Sequence, residues 1–154
     1  MEIRPLTQTD TRAIAAWRYP GRYATYDVGE VVTPERGFWA VEHEVDLVGY
    51  CCFGREARVP GVFEEEGVLD VGYGMRPDLM GRGLGGTFVG AILDFGVNEF
   101  SPERFRLLIL DWTERSRKVA STLGFQREGV AHSTEGAFLV MAREAREEDS
   151  DLRH

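Results

Sequence analysis

A glycine-rich segment between a predicted strand and a predicted helix constrains this chain more than any other feature. It runs from Met75 to Thr87 and reads MRPDLMGRGLGGT. Glycine adopts positive φ and lets a ligand approach main-chain N–H groups closely. The first N–H groups of a helix are unpaired and, with the positive end of the helix dipole, favour a pyrophosphate. The segment therefore predicts a phosphate-binding loop, to which Arg82 can add charge. The alternative is a flexible loop that is merely rich in glycine.

Apolar patterning predicts an α/β arrangement with a mixed sheet, in the order β-α-β-β-β-α-β-α-β-β. Asp10 is the predicted cap of the first helix, and the second helix follows the glycine-rich segment. Asp111 or Thr113 caps the third, which ends at Leu123 before a left-handed Gly124. The predicted strands are Ile3–Leu6, Phe38–His43, Leu47–Phe53, Val68–Met75, Phe105–Leu110, Gln126–Val130 and Ala137–Ala142.

A chain of 154 residues suits one compact domain. We expect residues 1–142 to form it, with an exposed loop at Arg55–Gly67, and residues 143–154 to form a frayed, charged tail. The two cysteines, Cys51 and Cys52, are adjacent on a predicted strand and point to opposite faces, so a disulfide between them is implausible. A reducing cytoplasm is the expected location. No apolar run reaches the roughly 20 residues of a membrane helix.

The formal net charge of −8 bears on the choice of partner. Nucleic-acid binding needs clustered Lys and Arg, so nucleic acid is not an expected partner. The charge is compatible with a cationic amine substrate, and equally with a surface that only keeps the protein soluble. His43 and His132 stand apart from any cysteine or carboxylate at ligand spacing, so no metal site is expected.

The same glycines also fit a competing motif. Gly81, Gly83 and Gly86 match G-x-G-x-x-G, and Asp111 can play the acidic ribose-binding residue of a dinucleotide-binding oxidoreductase. However, five residues separate the first glycine from the strand end. The spacing of thirty residues to Asp111 also exceeds the usual value of about 20. Too little chain follows for the further βα units of that fold, so this alternative is disfavoured.

Three segments, Asp70–Met75, Met80–Gly85 and Asp111–Gly129, resemble the GCN5-related N-acetyltransferase (GNAT) family. Met80-x-x-Gly83-x-Gly85 is similar to its acetyl-CoA motif, Gln/Arg-x-x-Gly-x-Gly/Ala, and Asp70–Met75 resembles its fourth strand. Asp111–Gly129 resembles its Asn-x-x-Ser…Leu-Gly-Phe segment. The spacing from Thr113 to Phe125 is similar to that of the RimJ/RimL-like branch, which acetylates the N-terminal amines of ribosomal proteins.

The resemblance implies a twisted, mainly antiparallel sheet of six to seven strands, flanked by helices and splayed between the fourth and fifth strands. It implies an N-acetyltransferase that moves the acetyl group of acetyl-CoA directly to a primary amine, on a protein N-terminus or a small molecule. Acetyl-CoA is then the co-substrate and no metal is needed. Homodimers are common in the family, but this sequence does not decide the oligomeric state. The implied cofactor-binding residues are Tyr73, Gly74, Met75, Met80, Gly81, Arg82, Gly83, Leu84, Gly85, Gly86, Thr113 and Ser116.

Three positions depart from the family pattern. Met80 replaces the usual Gln or Arg, Thr113 replaces the common Asn, and Ala120 stands where many relatives carry a Tyr that protonates the CoA thiolate. Ser116, one helical turn after Thr113, is the candidate to hydrogen-bond the thiolate instead, with an ordinary surface serine as the alternative.

The candidate general base is Asp70, on the strand where relatives often carry Glu. The alternative is an ordinary half-exposed strand aspartate. The resemblance implies that main-chain N–H groups near Met75 stabilise the oxyanion that forms on the thioester carbonyl during acetyl transfer. Tyr19, Tyr23 and Tyr26 line the substrate mouth or form a half-buried aromatic cluster. Because the family's usual proton donor is missing, a CoA-binding module with little catalysis is the competing function.

Overall fold

The computed structural model describes residues 1–145 and contains the predicted strands and helices in the predicted order. The segment between the first helix and the second strand holds three short 3-10 helices at Gly21–Tyr26, Gly29–Val31 and Pro34–Arg36. The main elements are β1 Glu2–Pro5, α1 Gln8–Ala15, β2 Phe38–His43, β3 Asp46–Phe53, β4 Val68–Met75, α2 Gly85–Phe100, β5 Arg104–Leu110, α3 Glu114–Thr122, β6 Gln126–Ser133 and β7 Gly136–Glu144.

The strands form one seven-stranded sheet in the order β1-β2-β3-β4-β5-β7-β6. Neighbouring strands are antiparallel except β4 and β5, which run parallel. That pair is joined only at Val68–Asp70 opposite Arg104–Arg106, and beyond these residues the two strands separate. The splayed, mainly antiparallel sheet expected from the family resemblance is confirmed. A single parallel pair within residues 1–145 is incompatible with the doubly wound parallel sheet of a dinucleotide-binding fold.

Helix α2 covers the centre of one sheet face because its apolar residues recur at helical spacing. Phe88, Val89, Ile92 and Leu93 are buried there against residues such as Phe105. Each fully buried side chain of this size contributes about 1.5–3 kcal/mol relative to exposure. Close packing also fixes glycine at position 49, since a β-carbon on Gly49 would lie 2.4 Å from the Phe88 ring.

The start of α1 differs from the sequence prediction. Thr7, and not Asp10, is the N-cap, and Asp10 is the third residue of the helix. The Thr7 hydroxyl accepts from the Asp10 N–H at 3.1 Å, and the Asp10 carboxylate accepts from the Thr7 N–H at 2.8 Å. This reciprocal capping box leaves Asp10 buried, where Arg4 donates to it at 2.6 Å.

The end of the domain also differs from the prediction. Strand β7 continues to Glu144, and the next residue, Ala145, is buried in the main core. Arg143 was expected to begin a frayed tail, but it is buried with its guanidinium over the rings of Phe105 and Phe125. Contact with these aromatic faces stabilises a guanidinium that the charged composition of the segment had suggested was solvated. The rest of the expected tail, residues 146–154, lies outside the described residues.

Two other expectations were that the adjacent cysteines form no disulfide and that no segment is a membrane helix. Cys51 and Cys52 lie on β3, both buried and both with free thiols. Burial, mainly, raises the pKa of the Cys52 thiol to about 12, so it is not a thiolate nucleophile near neutral pH. Across residues 1–145, no helix combines the length and the apolar character that a membrane crossing requires.

Candidate functional site

The gap between β4 and β5, called here the fork, exposes part of a strand edge. The Asp70 carbonyl accepts from Gly54 and the Arg76 N–H donates to Val48, each at 2.8 Å, so these two residues direct their main-chain groups towards β3. The N–H and C=O groups of successive residues in a strand point to alternate sides. Those of Tyr73 and Met75 therefore point into the fork. Their groups can therefore pair with an extended ligand that enters between the strands.

The predicted phosphate-binding loop lies at the open end of the fork, where β4 leads into α2. Gly81 and Gly83 have φ of 74° and 78°, the left-handed region in which glycine is favoured. Leu84 precedes α2 without a side-chain cap, and the Phe88 N–H bonds back to the Leu84 carbonyl at 3.0 Å. The N–H groups before Phe88 in α2 therefore have no helical partner. These main-chain N–H groups can therefore bind an anion such as a phosphate.

Helix α3 packs beside this loop through a close contact at Gly85. A β-carbon on Gly85 would lie 2.8 Å from Val119 Cγ2, so only glycine fits there without a shift. One turn earlier on α3, the Arg115 guanidinium carbon lies 3.0 Å from the position of a β-carbon on Gly81. Arg115 was missed by the sequence analysis. Its spacing of four residues from Val119 is the signal that places both side chains on one helix face.

The first turn of α3 holds the residues expected to meet the cofactor arm. Thr113 is buried at the N-cap position, but its hydroxyl donates to the Leu110 carbonyl at 2.7 Å and makes no capping bond. Ser116 is half-buried one turn later. Ala120 has no exposed surface and belongs to the main core. The position of the family's tyrosine therefore serves packing in this chain.

An aromatic cluster covers the mouth of the fork from the irregular segment after α1. Tyr19 is buried, and its hydroxyl donates to the Met75 carbonyl at 2.6 Å. Tyr26 packs between Tyr19 and Trp112, with ring centroids 6.3 Å from each. Burial raises the pKa of Tyr26 to about 12, although a hydrogen bond with Thr113 acts to lower it. The Tyr26 hydroxyl is therefore a neutral donor at physiological pH, close to the start of α3.

Asp70 lies at the vertex of the fork in a network of ion pairs. Its side chain is 1% exposed, so the half-exposed aspartate considered from the sequence is wrong. Arg106 donates to both carboxylate oxygens, at 2.5 and 3.0 Å, and Arg58 donates to one at 3.0 Å. Both oxygens are thus occupied by guanidinium donors. This geometry favours a role in holding the fork over a role as a free proton acceptor.

The loop expected at Arg55–Gly67 is anchored by the same network. Arg106 also donates to the Phe63 carbonyl at 2.7 Å and pairs with Glu65 at 3.4 Å. A groove of about 560 Å³ lies between this loop and β6, lined by Pro60–Phe63, Arg106 and Gly129–His132 among others. No group of three or more His, Cys, Asp and Glu side chains within residues 1–145 could hold a metal ion.

The match to a family model identifies the class of this protein as an acyltransferase. The acetyltransferase (GNAT) domain family matches residues 1–126, and the chain belongs to that family. This confirms the resemblance drawn from the three sequence segments. A comparison with curated proteins found no significant sequence match.

Solved structures share the fold at low sequence identity. Aminoglycoside acetyltransferase AAC(6')-Ib in complex with coenzyme A and kanamycin is 19% identical, with a TM-score of 0.79 and 99% of each chain covered. A chimera of spermidine N-acetyltransferase from Vibrio cholerae is 14% identical, with a TM-score of 0.72 and coverage of 94% of this chain and 95% of that one. Mycobacterium smegmatis RimJ in complex with CoA-disulfide is 15% identical, with a TM-score of 0.66 and coverage of 94% and 82%. The AAC(6')-Ib and RimJ structures contain coenzyme A or its disulfide, the ligand class expected here as co-substrate.

Proposed function

We propose that the protein transfers the acetyl group of acetyl-CoA directly to a primary amine. The observation that carries the proposal is the meeting of two features at one place. The main-chain edge of Tyr73 and Met75, which no strand covers although Tyr19 donates to the Met75 carbonyl, leads into the glycine loop at the start of α2. Acetyl-CoA has a matching shape, because a flexible amide-containing arm connects its thioester to a pyrophosphate.

In this arrangement the pyrophosphate lies against the N–H groups of Gly83–Gly86, and Arg82 and Arg115 add positive charge beside it. The remaining expected contacts, Gly74, Met80, Gly81 and Leu84, act through the main chain. The arm extends along β4 and pairs with Tyr73 and Met75. The thioester then lies in the fork, between β4 and the first turn of α3. Thr113 and Ser116 line that turn.

The reaction needs no covalent enzyme intermediate. The neutral amine nitrogen attacks the thioester carbonyl, and the C–S bond breaks as the amide forms. The nitrogen gives up one proton and the departing thiolate gains one. In this proposal a main-chain N–H of the Tyr73–Met75 edge stabilises the oxyanion. The thiolate accepts hydrogen bonds from Ser116, in the first turn of α3, and from the neutral hydroxyl of Tyr26.

The acceptor enters through the groove beside Pro60–Phe63 or through the aromatic mouth. An N-terminal peptide amine and a small-molecule amine are both compatible with this opening. The aminoglycoside acetyltransferase solved with kanamycin and the spermidine N-acetyltransferase chimera support an amine acceptor as a class. A cytoplasmic location and a homodimer stay predictions.

The first test is calorimetric titration with acetyl-CoA, with NADH as the control ligand. The sharpest variant pair is Gly86→Asp and Gly86→Asn, because a side chain at Gly86 meets no atom within 4 Å. An Asp in the first helical turn favours the helix by about 0.3–1 kcal/mol but repels a phosphate. We expect Gly86→Asp to keep its melting temperature and lose about tenfold or more in acetyl-CoA affinity, equivalent to about 1.4 kcal/mol. Gly86→Asn should bind nearly as the parent does. Equal affinity of the Asp and Asn variants would refute the phosphate loop.

Turnover separates this proposal from a CoA-binding module with little catalysis. Both predict acetyl-CoA binding, but only the enzyme releases CoA when an amine is added. In an amine screen, we expect Ser116→Ala and Tyr26→Phe to lower kcat with little change in acetyl-CoA affinity. CoA release that never exceeds the amine-free rate across peptide and small-molecule amines would favour the binding module.

A further inference from the structure

Trp112 carries a cation from this chain on the face of its ring. The Arg22 guanidinium carbon lies 4.2 Å from the centre of the Trp112 ring, within the range of a cation–π contact. Tyr23 meets Trp112 edge-to-face at 5.1 Å, and Tyr26 lies 6.3 Å away. We call Tyr23, Tyr26 and Trp112 the aromatic platform. Its rings present negative faces that attract a positively charged group.

The aromatic platform adjoins the proposed reaction site. Trp112 directly precedes Thr113, the N-cap residue of α3, and the Tyr26 ring lies 6.3 Å from the Trp112 ring. The neighbouring Tyr19 is bonded to Met75 at the edge of the fork. A cation on the platform therefore sits at the entrance through which an acceptor amine would reach the fork.

Arg22 is weakly held in this position. It is exposed, and within residues 1–145 it makes no ion pair with a carboxylate. It belongs to the short 3-10 helix Gly21–Tyr26, whose flanking main-chain bonds join Tyr23 to Pro20 and Asp27 to Ala24. Its side chain can leave the ring without breaking a salt bridge. The protein also carries a net charge of −8, which favours a cation in its place.

We infer that the aromatic platform binds a second cationic group of the acceptor, and that Arg22 occupies this position when no acceptor is present. The inference rests on the proposed acetyl transfer and narrows its acceptor class. The preferred acceptors are amines that carry a guanidinium or ammonium group in addition to the reacting amine. One cation replaces another on Trp112, and the released Arg22 side chain becomes solvated.

The test compares agmatine with n-butylamine, which share a four-carbon amine but differ in the guanidinium. Calorimetry on the CoA-loaded protein should show agmatine binding about tenfold more tightly, as expected for a cation–π contact on a partly dehydrated ring. Arg22→Gln should tighten agmatine binding several-fold and leave n-butylamine unchanged. Trp112→Leu should remove the preference for agmatine.

The matched control is Arg36→Gln, which removes the same charge from an exposed site on the neighbouring turn Pro34–Arg36. Arg36→Gln should leave both affinities unchanged. Equal tightening by Arg22→Gln and Arg36→Gln would mean general electrostatics and overturn the inference. So would equal binding of agmatine and n-butylamine by the parent protein. Because Arg22 is exposed, its variant remains informative even if Trp112→Leu does not fold.

Two further comparisons are made, one with dipeptide amides and one without CoA. The dipeptide amides Ala-Arg and Ala-Gln, used in the same titrations, distinguish a basic side chain on a peptide from a small diamine as the source of the cation. If CoA itself does not bind, the proposed function fails on its own. The agmatine comparison is then made on the protein without CoA, since the platform consists of protein residues alone.

Discussion

The Tyr19 hydroxyl donates a hydrogen bond of 2.6 Å to the main-chain oxygen of Met75. Met75 ends β4, where the strand leads into the phosphate-binding loop. Tyr19 lies 56 positions earlier, in the irregular segment after α1. Its own N–H is held by the Asp27 carboxylate at 2.8 Å. One side chain thus links the segment that covers the mouth of the fork to the strand edge inside it.

Replacing Tyr19 by Phe should loosen this connection without removing the ring. The Met75 carbonyl, on a half-buried residue, loses its donor, at a cost of about 0.5–1.5 kcal/mol. We expect a lower urea midpoint and a higher KM for the acceptor, with kcat changed less. Tyr23→Phe removes a hydroxyl from the same segment and is the matched control. A Tyr19→Phe enzyme with parental stability and KM would show that the bond does not position the mouth.

Asp70 offers a test between two roles. If it holds the fork as an ion-pair partner, Asp70→Asn leaves Arg58 and Arg106 poorly compensated and costs about 3–5 kcal/mol. Arg106→Gln should then have a similar effect, and the double variant should cost less than the sum of the two. Thermal unfolding measures all three. If Asp70 acts as the general base, Asp70→Asn should instead abolish kcat at nearly parental stability, and Arg106→Gln should not reproduce that loss.

Gly85 tests the contact between α2 and α3. Alanine is a better helix former than glycine by about 1 kcal/mol, but its β-carbon would lie 2.8 Å from Val119 Cγ2. We expect Gly85→Ala to destabilise the protein and weaken acetyl-CoA binding, because α3 must shift from the loop. In a Val119→Ala background the methyl group is gone, and the same substitution should become neutral or stabilising. Failure of Val119→Ala to reverse the effect would place the clash elsewhere.

Asp10 predicts how stability depends on pH. Burial acts to raise its pKa, but hydrogen bonds from Arg4 and Thr7 outweigh burial and hold the pKa below its ordinary value. A lowered folded-state pKa stabilises the protein above the unfolded value of about 3.9 and loses that effect as the pH falls further. Asp10→Asn should therefore cost about 1 kcal/mol or more at pH 7 through the lost cap. The difference from the parent should shrink below about pH 4. Asp46→Asn, at an exposed site, is the control.

The sequence predicted the elements whose patterns are local. The structure reproduces the predicted bounds of the strands Phe38–His43 and Val68–Met75. Gly124 has the predicted left-handed φ, at 88°. The glycine loop was predicted because its residue type and its place between strand and helix are both local facts. These are the features that short-range sterics and hydrogen bonding decide.

What the sequence did not predict depends on contacts between distant residues. Asp70 meets partners 12 and 36 positions away, so its burial and its ion pairs have no local signature. Arg143 belongs to a charged stretch by composition, but the rings of Phe105 and Phe125 retain it in β7. Arg115 lies beside Gly81 of the glycine-rich loop because α3 packs against that loop at Gly85. Tertiary contacts outweighed local pattern at each of these positions.

The early separation of β4 and β5 has a consequence for hydrogen exchange. The amides of Tyr73 and Met75 lie in a central strand, yet they face the fork and have no neighbouring strand to protect them. In the free protein they should exchange faster than the amides of Gly72 and Gly74, which face β3. A ligand arm paired along β4 should slow the first pair and leave the second unchanged. Hydrogen exchange would then show whether a ligand occupies the fork, because protection would change at every second residue along a single strand.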